Sequence, residues 1–477
     1  MAAMSDAHSP PASGAPATDR RGRVHEAPHL AGVPFLGHLS ALRRDPIAVF
    51  QRAAATGHDL VRLPVGAGSV YVLRRTEDVK RVLLDNRQNF SKNTRGYAAL
   101  RFVLGNGLIT SEGEFWLRQR RLAQPAFHRQ RLAQFGERMV ELTQQLLEQW
   151  ERAARLGSPV DVASDMMALT LRIVGWTLLS SEVGPHAPSV SEALNELLHQ
   201  VIRRTTQWVR LPRWLRTPQN RALRRARQSL DRVVLGMIAE RRRSGAERPD
   251  LLGMLMSARD EETGETMSDQ QLRDEVMTIF LAGHETTANA LTWTLYLLFR
   301  HPEVRDRLER EVASALRGRP PRVEDLPKLG YVLAIVQEAM RLYPPVWMLM
   351  RRSERQDVLA GFRVPAGAYV AVCPFLLHRD PRLFENPERF DPERFMGERA
   401  ARIPRFGYIP FSAGPRMCIG NGFALMEAQL VLASIAQRFR LELVPGHPVE
   451  LDPAVTLRPK HGMRMTLRHA ETGFECN

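Results

Sequence analysis

Apolar positions recur three and four residues apart through most of the middle of the chain, with charged residues between them. This spacing places the apolar side chains on one face of a helix. It predicts helices over Phe135 to Arg152, Ser164 to Leu179, Val190 to Arg203, Asn220 to Arg243, Ser268 to Arg300, Pro302 to Arg317, Tyr331 to Arg341 and Phe423 to Phe439. The protein is therefore predicted to be mostly helical.

Two short stretches have the composition of β-strands instead. Val61 to Leu73 is rich in apolar and β-branched residues around Gly66 and Gly68, which predicts a hairpin. Phe362 to Cys373 surrounds Pro365 and Gly367 in the same manner and predicts a second hairpin. The expected fold class is mostly α with a small β region.

No internal repeat or low-complexity linker divides the chain after about residue 30, so one domain is expected over residues 28–469. Residues 1–27 are rich in Ala, Ser and Pro, lack the apolar core of a signal peptide, and are predicted to be a disordered leader. Residues 470–477 form a short tail. The longest uncharged apolar stretch, Thr286 to Phe299, is shorter than the roughly 18 residues of a membrane span.

The net charge of +15 and the pI near 10.6 fit an acidic partner, an anionic surface or nucleic acid. No basic cluster is interleaved with stacking aromatics, so nucleic-acid binding is not expected.

Three cysteines make no disulfide framework, which indicates a reducing compartment such as the cytoplasm. Trp208 to Leu215 combines aromatics with arginines, and it is either a membrane-touching or pocket-covering segment or an ordinary packed loop.

A cysteine stands directly before the last predicted helix, within the segment Phe411 to Gly420. Helix-end amides and the positive end of the helix dipole favour the thiolate, the form that binds metals. Gly414 and Gly420 leave space where a flat ligand can approach the loop. A lone cysteine also packs as a small hydrophobic residue, so the residues around Cys418 must decide between the two roles.

The long predicted helix from Ser268 to Arg300 begins with a capping-box pair, Ser268 and Gln271, and carries Gly283 in its middle. A mid-helix glycine costs roughly 1 kcal/mol relative to alanine, which indicates a need for space. Glu285 and Thr286 beside it have the groups of a proton relay. The alternative is that Thr286 bonds to the carbonyl of Ala282 while Glu285 forms an ion pair.

Two other enzyme classes are excluded by single residues. His284-Glu285 begins the zinc-protease pattern His-Glu-x-x-His, but the fifth residue is Ala288. Gly420-Asn421-Gly422 begins a dinucleotide fingerprint, but Leu425 stands in place of the third glycine.

The pattern Phe-x-x-Gly-x-Arg-x-Cys-x-Gly is matched at every fixed position and resembles the haem-binding loop of the cytochrome P450 family. The resemblance implies that Cys418 is the axial ligand of haem b, that Arg416 binds a haem propionate and that Phe411 packs beside the sulfur. The segment around Gly283 resembles the oxygen-activating helix of the same family. There Glu285 and Thr286 would deliver protons to dioxygen.

Further segments occur in the family's order, and the resemblance covers roughly residues 28 to 469. Glu338-x-x-Arg341 and the later Arg394 resemble the residues that form a buried ion-pair network in the family. Trp116-x-x-x-Arg120 resembles its propionate-binding helix. Arg351 falls where the family often has another propionate partner.

The resemblance implies a monooxygenase that inserts one atom of dioxygen into a lipophilic substrate such as a fatty acid, terpene or polyketide. Expected pocket residues are Val103, Leu104, Ala282, Val346 and Met348, although the same residues could be plain core. The alternatives are a haem redox or sensor protein without turnover and a peroxide-driven hydroxylase. The acid-threonine pair argues against both.

Electrons are expected from a separate ferredoxin or flavodoxin, because the 59 residues after Cys418 leave no room for a fused reductase. Such donors are commonly acidic and are steered by positive patches. Arg118, Arg121 and Arg129 are the candidates for that patch, the alternative being that they are solvated surface.

Overall fold

A computed structural model describes residues 25–179 and 217–470, apart from 246, 247, 249 and 261. The predicted helix Val190 to Arg203, the segment Trp208 to Leu215, most of the predicted leader and nearly all of the tail lie outside these residues. The chain divides into two compact units. The smaller one comprises Met1–Thr94 and Met348–Leu376, and the larger one comprises Arg95–Trp347 and Leu377–Asn477.

The smaller unit is built on a five-stranded sheet with the strand order β1-β2-β8-β5-β3. Its helices are α1 (Leu39–Arg44), α2 (Pro46–Ala55) and α3 (Thr76–Lys80), and its strands are β1 (Leu60–Val65), β2 (Gly68–Leu73), β3 (Phe90–Ser91), β5 (Leu349–Ser353), β6 (Asp357–Leu359), β7 (Phe362–Val364) and β8 (Tyr369–Val372). The predicted hairpin at Val61 to Leu73 is confirmed, because β1 and β2 pair antiparallel with Leu60 opposite Leu73.

The second predicted hairpin, over Phe362 to Cys373, is wrong. Both of its strands form, but β7 pairs with β6, while β8 lies parallel to β2 and antiparallel to β5. Pro365 and Gly367 therefore turn the chain from one sheet into another. Partners distant in sequence, which local composition does not encode, determine this pairing.

The larger unit contains most of the helices. They are α4 (Arg95–Leu104), α5 (Gly113–Ala123), α6 (Arg129–Ala133), α7 (Gly136–Arg155), α8 (Val162–Leu179), α9 (Pro218–Ser244), α10 (Leu251–Ser257), α11 (Asp269–Arg300), α12 (Pro302–Leu316), α13 (Gly330–Leu342), α15 (Gly397–Ala401) and α16 (Asn421–Ala436). Short helix α14 (Pro374–Leu377) crosses the boundary between the units. A three-stranded sheet, β4-β12-β9, is formed by β4 (Val160–Asp161), β9 (Phe439–Leu443) and β12 (Arg464–His469), and β10 (Leu451–Pro453) pairs with β11 (Leu457–Pro459).

The long helix α11 runs through the core of the larger unit. Its first turn has the predicted capping box, in which Ser268 and Gln271 satisfy each other's backbone amides, and it ends at His301, directly before Pro302. Helices α8, α13 and α16 pack against it. The need for glycine at position 283 comes from α8, because a Cβ at Gly283 would lie 2.9 Å from Cγ2 of Val174.

Helix α16 follows the cysteine and ends earlier than predicted. It stops at Ala436, and Phe439 opens strand β9, where it pairs with His469 of β12. The apolar spacing continues across the junction because Phe439 is buried in the same core cluster as the helix. Among the described residues, no helix has the length and apolar character needed to cross a membrane.

Candidate active site

The loop before α16 is closed by one backbone hydrogen bond. The N–H of Cys418 donates to the carbonyl of Phe411 at 2.9 Å. Between them, Ser412 and Gly414 adopt positive φ angles of 63° and 70°, so the chain turns back sharply before the single 3₁₀ turn at Gly414–Arg416. Strain of this kind at Ser412, a residue other than glycine, is typical of functional loops.

The sulfur of Cys418 lies in a concave environment. Its side chain is exposed to solvent, yet it lies deep enough among protein atoms for burial to raise the pKa of its thiol. The backbone N–H of Gly420 and the charge of Arg120 lower that pKa in part. An accessible sulfur that is enclosed by protein on its other sides is what a ligand-binding cleft presents.

Neither the backbone conformation nor any described neighbour requires a glycine at position 420. Gly420 has an ordinary φ of −92°, and a Cβ there would meet Phe127 at 3.7 Å, a normal van der Waals distance. The described protein atoms therefore tolerate a side chain at this position. A flat group lying against the loop would account for the absence of a side chain at position 420.

Two residues of α5, Trp116 and Arg120, lie against the cysteine loop. The guanidinium of Arg416 stacks over the ring of Trp116 at 4.1 Å. One turn after Trp116, Arg120 donates from Nη1 to the carbonyl of Met417 at 2.9 Å. Burial lowers the pKa of Arg120, while the nearby Cys418 raises it. Helix α5 thus holds two of the predicted cofactor-binding residues beside the cysteine.

Arg416 is also held by the loop that precedes α5. Its Nη1 donates to the carbonyl of Ser111 at 3.0 Å, and its Nη2 lies 3.2 Å from Oε1 of Glu112. The aromatic face, the carbonyl and the carboxylate therefore orient the guanidinium through contacts within the chain alone.

The acid and the threonine of α11 have separate partners. Thr286 donates to the carbonyl of Ala282 at 2.5 Å, which is the back-bonded arrangement. Among the described residues Glu285 makes no ion pair, but it accepts a 2.7 Å hydrogen bond from Thr456, and Thr456 in turn accepts one from Asn289 at 3.0 Å. Burial raises the pKa of Glu285, whereas Thr456 and Arg458 lower it in part.

Helix α16 connects the cysteine to the middle of α11. Glu427, two and a half turns after Cys418, is fully buried, and burial raises the pKa of its carboxyl well above the ordinary value. The hydroxyl of Thr287 lies beside it and lowers that pKa, although neither carboxyl oxygen makes a hydrogen bond of good geometry to the described residues. The residue next to Thr286 therefore faces the helix that begins at the cysteine.

A buried ion-pair network lies on helix α13. Glu338 and Arg341 form a bidentate pair with N–O distances of 2.6 and 2.8 Å, and both side chains are fully buried. Arg341 also donates to three backbone carbonyls, and Nε of Arg394 lies 3.4 Å from Glu338. The structure thus brings all three predicted network residues together.

The comparisons with known proteins agree with this geometry. A family model described as Cytochrome P450 matches residues 28–465. The chain belongs to the cytochrome P450 family. It is therefore a haem-dependent monooxygenase.

Several P450 relatives match nearly the whole chain. Cyclooctat-9-en-7-ol 5-monooxygenase of Streptomyces melanosporofaciens is 40% identical over 87% of this chain and 89% of its own length. Cyclooctatin synthase of the same organism is 39% identical over 89% of this chain and 92% of its own length. The crystal structure of the cytochrome P450DA heme domain is 30% identical with a TM-score of 0.86, covering 93% of this chain and 97% of that one.

The predicted pocket residues of this P450 fall into three groups. Val103 and Leu104 are buried in a core cluster with Phe280 and Leu281 of α11, so they pack as core residues. Ala282 and Val346 are half-buried. Met348 and Arg351 belong to the smaller unit, so their place relative to Cys418 stays a prediction from the sequence.

The residues on either side of Val346 share a neighbour with the carboxyl of Glu285. The carbonyl of Pro345 accepts from the N–H of Leu457, and the indole of Trp347 donates to the carbonyl of Ala454 at 3.1 Å. Thr456, which bonds to Glu285, lies between Ala454 and Leu457 in the β10–β11 turn. This turn therefore contacts both the segment that carries Val346 and the middle of α11.

Two of the three arginines predicted to attract an electron donor are already paired with acids. Arg118 pairs with Glu265, and Arg121 pairs with Asp260 at 3.1 Å and with Glu262 at 2.8 Å. These three acids lie in the segment before α11, and they offset most of the positive charge of Arg118 and Arg121 locally. The side chain of Arg129 lies outside the described part of the chain.

Proposed function

We propose that Cys418 binds the iron of haem b and that this P450 adds one oxygen atom to a cyclic terpenoid. The accessible sulfur of Cys418, with the cation of Arg120 close enough to lower the pKa of its thiol, carries the cofactor assignment. When bound, haem supplies the chemistry of dioxygen activation, to which a cysteine thiolate contributes electron density. The remaining steps depend on the residues of this chain.

Arg120 and Arg416 supply cationic donors for the two propionates, and Trp116 fixes the orientation of the Arg416 guanidinium. Both arginines are anchored to backbone carbonyls, Met417 and Ser111, which fixes the two guanidinium groups beside the cysteine loop. Phe411 is proposed to pack beside the sulfur on the resemblance alone. Arg351 is proposed as an additional propionate partner on the resemblance alone.

Glu285 and Thr286 handle protons in this proposal. The carboxyl of Glu285 is buried and holds its proton more tightly than an ordinary glutamate, so it can donate a proton at a higher pH than an exposed glutamate could. Thr286 has its hydroxyl proton directed to Ala282, and its oxygen can accept a hydrogen bond from another donor. The pair divides the work, with Glu285 storing a proton and Thr286 orienting a donor.

The substrate class follows from the relatives and from the character of the pocket residues. Pentalenene oxygenase of Streptomyces avermitilis is 34% identical, and it and the cyclooctat-9-en-7-ol 5-monooxygenase oxidise terpenes. Ala282, Val346 and Met348 are apolar, as a hydrocarbon substrate requires. Electrons are proposed to come from a separate acidic ferredoxin or flavodoxin, which the net charge of +15 would attract.

Turnover with a surrogate ferredoxin and its reductase tests this function. We expect a cyclic sesquiterpene or diterpene to shift the haem spectrum and to give a product with one oxygen atom derived from isotopically labelled dioxygen. A saturated fatty acid of similar mass serves as the comparison. Oxidation of the fatty acid without oxidation of any terpene would overturn the substrate class.

A further inference from the structure

The loop of residues 105–112, between α4 and α5, is tied to the start of α11 by two neighbouring carboxyl groups. The backbone N–H of Asn106 donates to Oδ2 of Asp274 at 2.7 Å, and the N–H of Leu108 donates to Oε2 of Glu275 at 3.1 Å. We call this segment the docked loop. Two of its backbone amides are thus satisfied by side chains of the long helix, while those of Thr110 and Ser111 donate to the carbonyl of Gly107 within the loop.

Two glycines allow the docked loop to lie directly on the helix. Gly105 has a φ of +76°, and a Cβ there would lie 2.1 Å from Oδ1 of Asp274. A Cβ at Gly107 would lie 2.3 Å from Oγ1 of Thr278 and 2.7 Å from the backbone carbonyl oxygen of Asp274. Any side chain at position 107 therefore forces the loop away from the helix backbone.

The other end of the docked loop reaches the cysteine loop. The carbonyl of Ser111 and the carboxylate of Glu112 both hold Arg416, two residues before Cys418. In its middle, Leu108 is buried in the same cluster as Phe280 and Leu281, next to Ala282. The docked loop thus extends from the start of α11, past the core cluster next to Ala282, to Arg416 beside the cysteine loop.

Docking leaves polar atoms buried without partners. Oε1 of Glu275, the hydroxyl of Thr278 and the hydroxyl of Ser111 make no hydrogen bond to any described residue. Burying such a group without a partner is unfavourable, so the docked arrangement is held with little surplus stability. A contact of this kind can open, whereas a fully satisfied one resists opening.

Glu275 is also the group whose ionisation matters most here. Burial, opposed in part by the N–H of Leu108 and assisted by the nearby Asp274, raises the pKa of Glu275 to about 8. The charged groups near the start of the docked loop include Arg273, which bonds to Asp274 and to Asp231 of α9, and Arg101, which bonds to the carbonyl of Thr110. Glu112 and Arg416 pair at its other end.

We propose that Glu275 is a positioning residue that holds the docked loop against α11 in its neutral form and thereby controls entry of the substrate. The inference rests on the proposed function only in naming what enters. Opening frees the Leu108 amide and moves the Leu108 side chain away from Phe280 and Leu281. Closing restores the wall beside Ala282.

The direction of the pH dependence follows from linkage. A carboxyl with an ordinary pKa near 4.5 in the open loop and a pKa of about 8 in the docked loop takes up a proton on docking. Docking is therefore strongest below about pH 4.5 and weakens as the pH rises toward about 8. Between about pH 6 and about pH 8 the docking equilibrium should fall by up to about 50-fold.

Hydrogen exchange of the holoenzyme, read by mass spectrometry on peptides that cover residues 105–112, measures docking directly. After correction for intrinsic exchange, protection of the wild-type loop should fall at least about 10-fold from about pH 6 to about pH 8. Glu275→Gln keeps an oxygen for the Leu108 amide but has no proton to lose. Its loop should stay protected at both pH values, while the exposed control Glu114→Gln should behave as wild type.

A second variant and a second readout make the outcomes separable. Gly107→Ala should remove the protection at both pH values, with the haem spectrum showing that the protein is folded. Association of phenylimidazole with the haem, corrected for the fraction of the probe that is protonated at each pH, should be faster in Gly107→Ala and independent of pH in Glu275→Gln. Wild-type protection that is equal at both pH values, or a Glu275→Gln variant that keeps the wild-type pH dependence, would overturn the inference. Failure of terpenes to bind while these patterns hold would contradict the proposed function alone.

Discussion

The hydroxyl of Thr456 donates a 2.7 Å hydrogen bond to Oε1 of Glu285, although 171 residues separate them in sequence. The bond places a turn between two short strands against the middle of the long helix. It also gives Glu285 a neutral partner, where an ion pair was the alternative. Burial therefore raises the pKa of Glu285, and the hydroxyl of Thr456 lowers it in part.

Thr456→Val should raise the pKa of Glu285 further, because the variant removes the hydrogen bond that lowers it while the burial that raises it remains. Glu285 then stays protonated to higher pH. The midpoint of the pH profile of coupled turnover should move upward by a measurable fraction of a unit. Thr466→Val, which removes a hydroxyl on strand β12, is the matched control and should leave the profile in place.

Thr286→Ala and Glu285→Gln should each leave haem content and substrate binding intact but divert electrons away from product. Positioned proton transfer contributes roughly 10²–10⁴-fold, so the ratio of product formed to reduced nicotinamide consumed should drop steeply. Thr287→Ala, one residue along the same helix, is the comparison for nonspecific loss. Full coupling in both variants would exclude these two residues from proton delivery.

Removal of Arg341 should destabilise the protein strongly. Arg341→Leu leaves the fully buried Glu338 without its bidentate partner, and a buried charge left in this way costs about 3–5 kcal/mol. Arg402→Leu removes an exposed pair with Glu398 and should cost at most about 1 kcal/mol. Urea unfolding of the holoenzyme gives both values, and equal losses would show that the buried network adds nothing.

Gly283→Ala tests why the long helix carries a glycine. The new methyl would lie 2.9 Å from Cγ2 of Val174, so overpacking should cost about 1–3 kcal/mol of unfolding free energy. Val174→Ala in the same chain should restore most of it, because the clash disappears. Gly236→Ala has open space around the new methyl and should be neutral or stabilising by up to about 1 kcal/mol. A double variant as unstable as Gly283→Ala would point to a need for space on another face.

Local features of the fold could be predicted from the sequence. The capping box at Ser268, the helix end before Pro302 and the hairpin at Val61 to Leu73 each depend on residues a few positions apart. The pairing of β8 with β2 and the end of α16 at Ala436 could not be predicted. Both depend on partners brought in from elsewhere in the chain.

The same distinction applies to the site. The spacing around Cys418 and the pair Glu338 and Arg341 can be found by their motifs, because the chemistry lies within one loop or one helical turn. Thr456, Glu112 and Glu427 have no such signal. Thr456 meets Glu285, Glu112 meets Arg416 and Glu427 meets Thr287 only when distant segments fold together.

The carbon monoxide spectrum of the reduced protein tests the central claim most directly. If Cys418 provides a thiolate to the iron, the wild type should show the red-shifted Soret band of thiolate ligation, and Cys418→Ala should lose it. Cys373→Ala, which changes a buried cysteine of the smaller unit, should keep the band. A red-shifted band that persists in Cys418→Ala would contradict the account.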